Sequence, residues 1–84
     1  MTIELGENHP DISFTKREAE CMWYFLKGQT MRAVASIFNL SPRTVEFYAN
    51  NMKKKLSCKT KSELIDQVLK SDFRANAKAI LGLE

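Results

Sequence analysis

Between residues 41 and 54 the chain places groups suited to molecular recognition at helical spacing. At about 100° per residue, Arg43, Phe47, Asn50 and Lys54 fall on one side of a helix, with Glu46 beside them. The chemistry available there is non-covalent. A carboxamide such as Asn50 both donates and accepts, so it can make a paired contact to adenine. The ring of Phe47 can pack on a thymine methyl, and the carboxylate of Glu46 can only accept, as from a cytosine amino group. Ser41, Arg43, Thr44, Lys53 and Lys54 offer hydroxyls and cations, and the start of their helix offers free backbone N–H groups. Such groups hold phosphates. The plainer alternative is a solvated lysine face over Lys53–Lys55, with Glu46 paired to Lys53 or Arg43.

Covalent chemistry finds no comparable set. The carboxylates are scattered, no nucleophile has a histidine at a workable spacing, and there is no glycine-rich phosphate loop. His9, the single histidine, sits in a polar loop segment. One His with Cys21 and Cys58 cannot make a four-ligand zinc site, so no metal or cofactor is expected. The sequence does not read as an enzyme.

Two helical patterns position the recognition residues. Thr30 can cap a short helix whose apolar residues Val34, Ala35, Ile37 and Phe38 share a side. Asn39, tolerant of a left-handed backbone, ends it; Leu40 plugs the corner; and Ser41-Pro42 restart a helix with a serine cap and a proline at the first position. In the second helix Val45, Tyr48, Ala49, Met52 and Leu56 form the inward stripe. Small Ala35 lies where two steeply crossing helices approach most closely. This is the pattern of a helix-turn-helix, whose second helix enters the DNA major groove.

These residues carry a resemblance. Phe14-Thr15-Lys16-Arg17-Glu18, Gly28, Ser41-Pro42-Arg43-Thr44-Val45, Lys55-Leu56 and Lys61-Ser62 together resemble the LuxR/GerE-type (NarL-like) DNA-binding domain of bacterial transcription regulators, over about Phe14 to Leu69. The sequence departs from the family in three places: Glu46 stands where lysine is usual, Tyr48 where histidine is usual and Ala33 where glutamate is usual. The resemblance implies a four-helix helix-turn-helix bundle that binds double-stranded DNA and reads bases from Glu46, Phe47 and Asn50. It further implies a homodimer on DNA through the fourth helix (61–70), and a regulatory domain or protein upstream.

The rest of the chain supports that architecture. Residues 1–13 lack periodicity and read as an irregular arm or linker remnant. Thr15-Lys16-Arg17-Glu18 is a capping box that starts a first helix with Glu18, Met22, Phe25 and Leu26 on its inner face. Trp23 and Tyr24 fall partly outside that stripe and are expected to be half exposed. Thr60-Lys61-Ser62-Glu63 reads as a second box, starting a fourth helix with Leu64, Ile65, Val68 and Leu69 inward. Phe73, Ala77, Ile80 and Leu81 carry the period into a C-terminal helical extension or tail over 71–84. The expected fold is therefore all-α, with helices near 16–27, 31–38, 42–56 and 61–70 inside a unit spanning 14–70.

Eighty-four residues allow one small core. The net charge is only +3, but residues 42–61 carry +5 and residues 1–20 carry −3, which concentrates the positive field on the second helix of the pair and its following loop. No apolar run approaches membrane-spanning length and the first stretch is polar, so a cytoplasmic location is expected. The competing function is a protein-interaction module that keeps the helix-turn-helix scaffold and presents Phe47 to another protein.

Overall fold

The computed structural model describes residues 2–82. In chain order it contains β1 (Thr2–Glu4), β2 (Ser13–Thr15), α1 (Lys16–Leu26), α2 (Met31–Phe38), α3 (Pro42–Lys55), α4 (Lys61–Leu69) and α5 (Phe73–Leu81). The four expected helices are present, each ending within a residue of its expected bound. The addition is a small antiparallel hairpin, and α5 falls within the 71–84 segment expected as a helical extension or tail.

Local chemistry sets the helix starts. Thr15 Oγ1 accepts from Glu18 N at 3.3 Å while Glu18 Oε1 accepts from Thr15 N at 2.9 Å, so this capping box is complete. Thr30 and Ser41 cap α2 and α3 by accepting from Ala33 N and Thr44 N, each at 3.1 Å. The box expected at α4 is only half formed. Thr60 Oγ1 accepts from Glu63 N at 3.1 Å, but the Glu63 carboxylate accepts from Lys59 N at 3.4 Å instead of from Thr60.

Left-handed residues set the stops. Asn39 (φ 55°, ψ 46°) ends α2, with Leu40 N donating to Ala35 O at 2.8 Å. Gly28 (φ 87°) ends α1, with Gln29 N donating to Tyr24 O at 3.1 Å. Ser57 (φ 56°) plays the same part after α3, where Cys58 N donates to Lys53 O at 2.9 Å. These six-residue closures satisfy carbonyls that the helix ends leave free.

The core is built from Met22, Phe25, Val34, Ala35, Val45, Ala49, Met52, Leu64 and Val68, and it extends beyond the four helices to Ile3, Leu5, Phe14, Phe73 and Ala77. The expectation of an irregular arm over 1–13 is thereby corrected. Ile3 pairs opposite Phe14 across the hairpin, and Ile3 and Leu5 are both fully buried. Strands this short contribute one inward residue each and leave no readable alternation.

Five burial expectations also change. Trp23 is buried, 9 % exposed, because α5 packs on α1 and brings Arg74 beside it. Leu69 is 42 % exposed: Leu64 and Val68 hold the inward line, and the next residue is turned about 100° away. Ile37 is 47 % exposed, on the outer flank of α2, and Ile80 is 49 % exposed on α5. Leu40 is half-buried, lining with Arg32, Ala35, Ser36 and Pro42 an open cleft beside the turn.

Ala35, 2 % exposed, is the small residue on the α2 face that packs against α3. Ala35→Leu is expected to force the pair apart at a cost of about 1–3 kcal/mol. Thermal melting should show a drop of roughly 4–20 °C in a domain of this size; an unchanged midpoint would place the close approach elsewhere.

Candidate nucleic-acid interface

The second helix of the pair, α3, is buried along one stripe and open along the other. Val45, Ala49 and Met52 are fully buried, Leu56 is buried just past its end, and Tyr48 is half-buried. Arg43, Phe47, Asn50 and Lys54 are all exposed on the opposite side, with Glu46 and Ser41 exposed near them. Thr44 and Lys53 are intermediate. The structure thus brings the sequence-selected residues onto one helix and its cap.

Their details differ. Phe47 is 60 % exposed, and its ring meets Tyr48 edge-on at 6.0 Å, so the ring projects from the face while resting on a half-buried neighbour. The Ser41 and Thr44 hydroxyls are 2.9 Å apart and already bonded to each other at the helix start. Among the described residues Glu46 has no ion-pair partner, so the alternative of a pair with Arg43 or Lys53 is not formed. Lys53, Lys54 and Lys55 close the helix, where cations oppose the negative end of its dipole.

Lys55 has a role that the sequence reading missed. Its Nζ donates to Glu18 Oε1 at 2.7 Å and to Ser13 O at 3.0 Å, and lies 5.8 Å from the centre of the Phe14 ring. The Glu18 side chain is 4 % exposed and that of Lys55 35 %. Lys55 therefore faces inward and ties the last turn of α3 to the first turn of α1. A signal existed: Lys55 is three residues from Met52 and seven from Tyr48, on the stripe that faces inward.

Other reactive groups stand apart from this face. Burial pushes the Cys21 thiol up to about 11, a larger effect than the nearby Arg17 charge, which pulls it down. Burial also raises Cys58, whose sulfur accepts from Gln67 Nε2 at 3.0 Å. Both cysteines are free thiols. Burial lowers the Lys61 pKa; its ammonium lies 4.5 Å from the Phe25 ring centre and donates to Gln29 O at 3.3 Å, pinning the start of α4 to the loop between α1 and α2. Among the described residues no group of His, Cys, Asp and Glu is placed to hold a metal, and no helix is long and apolar enough to cross a membrane.

A family model described as bacterial regulatory proteins, luxR family, matches residues 12–68, spanning the capping box, the helix pair and α4. The chain belongs to that family. It is a helix-turn-helix DNA-binding domain. Relatives include the regulatory protein SdiA of Escherichia coli (strain K12), 34 % identical over 55 residues that cover 66 % of this chain and 23 % of SdiA. The transcriptional activator protein VanR of Vibrio anguillarum is 33 % identical over 73 residues, 87 % of this chain and 26 % of VanR. The transcriptional activator protein LuxR of Aliivibrio fischeri is 28 % identical over 67 residues, 80 % of this chain and 27 % of LuxR. Among solved structures, the crystal structure of the phage VqmA-DPO complex superposes with a TM-score of 0.66 at 32 % identity, covering 68 % of this chain and 26 % of that one. The chain spans about a quarter of the length of each of these proteins.

Lys55→Ala is expected to strand the buried Glu18 carboxylate and to destabilise the domain by about 1–3 kcal/mol. That is below the loss for a fully enclosed pair because a third of the Lys55 side chain meets water. Urea denaturation measures it, and a midpoint equal to that of the unmodified domain would show that Glu18 is stabilised without Lys55.

Proposed function

We propose that this domain belongs to a transcription regulator and places the outer face of α3 in the DNA major groove, reading bases with Glu46, Phe47 and Asn50. Ser41, Arg43, Thr44, Lys53 and Lys54 hold the flanking phosphates. The observation that carries this reading is the exposed line of Arg43, Phe47, Asn50 and Lys54 on a helix whose opposite side is locked into the core. Glu46, where the family usually has lysine, gives this member its own base preference. DNA access places it in the cytoplasm, and its partner for signal input is a regulatory domain or protein, since about three quarters of each relative lies outside the match.

We also propose a homodimer on DNA through α4. One short helix reads too few base pairs to be selective in a genome. The half-buried Ile65 and the 42 % exposed Leu69 give α4 a small apolar margin, suited to a contact that forms when two copies sit on one site. Selection of bound sequences from a random duplex pool, followed by footprinting, is expected to show two half-sites related by a two-fold axis. A single isolated half-site at saturating protein would count against the dimer.

Two substitutions separate the contact types. Lys54→Ala removes a charge from the outer face, so affinity should fall alike on all duplexes and the slope of log affinity against log salt should shrink by about 1. Asn50→Ala should cost about 1–3 kcal/mol on the selected site, little on random duplex, and leave the slope unchanged. Equal losses on both duplexes for both variants would remove Asn50 from base reading. Unchanged DNA binding in both, with loss of a protein partner, would favour the interaction-module alternative.

A further inference from the structure

Two segments outside the family match, β1 and α5, are bonded to each other. Asp72 N donates to Leu5 O and Asn76 Nδ2 donates to Glu4 O, each at 2.9 Å. Gly6 (φ +94°) lies so close to Asp72 that a Cβ there would run into its carboxylate. The contact continues inward. Phe73, the first residue of α5, packs its ring 5.6 Å from that of Phe14, which is opposite Ile3 in the hairpin and beneath the Lys55 ammonium. The residue before Phe14 supplies the carbonyl that Lys55 bonds. An unbroken series of packed groups therefore runs from α5 and β1, through β2, to the last turn of the recognition helix.

We infer that the β1–α5 brace is a positioning element for DNA binding: by fixing Ser13 and Phe14 it holds Lys55, and through Lys55 it sets the end of α3 that presents Lys53 and Lys54. Asn76, Gly6 and Lys55 are thus positioning residues, remote from or turned away from the DNA-facing side. The inference rests on the reading that the outer face of α3 meets DNA. Coupling of this kind needs a contiguous set of contacts and is measured by non-additivity between its ends.

Asn76→Ala removes one exposed hydrogen bond, and Gly6→Ala pushes the β1–β2 turn off α5 from the other side. Neither touches the DNA-facing residues. Each variant is expected to weaken binding to a random-sequence duplex by at least about threefold, with about tenfold as the ceiling for Asn76→Ala, the most that one lost hydrogen bond can transmit. In the free protein, each should speed amide exchange over Met52–Leu56 while leaving Thr44–Val45 unchanged. In a Lys55→Met background, where the ammonium is already gone, Asn76→Ala should cost less than about twofold more. Full affinity with unchanged exchange at Met52–Leu56 in both single variants overturns the inference, as do losses that add in full in the Lys55→Met background. The exchange measurement uses no DNA, so it tests the brace by itself. Unchanged affinity in Lys54→Ala counts against the DNA-facing reading and not against the brace.

Discussion

One carboxylate oxygen, Glu18 Oε1, joins the start of the bundle to the end of its recognition helix. It accepts from Thr15 N, closing the first turn of α1, and from Lys55 Nζ on the last turn of α3. A carboxylate that is almost wholly out of water is tolerated only when paired and hydrogen-bonded, so the arrangement of the two helices is bound to the survival of that pair. At its other end α3 is held by the left-handed turn at Asn39 and by the packing of Ala35. A helix fixed at both ends offers its outer side chains from one backbone position, which reduces the backbone freedom lost when they contact a ligand.

Most of the helical frame was legible because its causes are local. Thr15, Thr30, Ser41 and Thr60 each cap the helix that follows, and Asn39 and Gly28 stop helices through a left-handed conformation that most other residues tolerate poorly. The stripe on α3 was legible from spacing alone. What escaped depends on residues distant in the chain. Trp23 is covered where α5 returns to α1, and Ile3 is buried where the hairpin packs on α5 and α1. Ser57 takes a left-handed conformation with no glycine or asparagine to announce it. At the α4 start the residues of a capping box were present, but the Glu63 carboxylate found Lys59 N.

The interface shows the same division. That Arg43, Phe47, Asn50 and Lys54 share an exposed face followed from helical period. That Lys55 leaves its two lysine neighbours and turns to Glu18 required a partner 37 residues away. Three consecutive lysines thus serve different ends: Lys53 and Lys54 supply positive charge near the helix end, while Lys55 pairs with an internal carboxylate. Counting the run as a single basic patch would overstate the field available to phosphates.

Glu46 gives the exposed face a property that its cations lack. An unpaired acid among basic neighbours meets phosphates and base acceptors unfavourably at almost every register along a duplex, and favourably only where an exocyclic amino group stands opposite. On the proposed reading, in which this face meets DNA, such a group acts subtractively, taking more from the many wrong registers than from the few right ones.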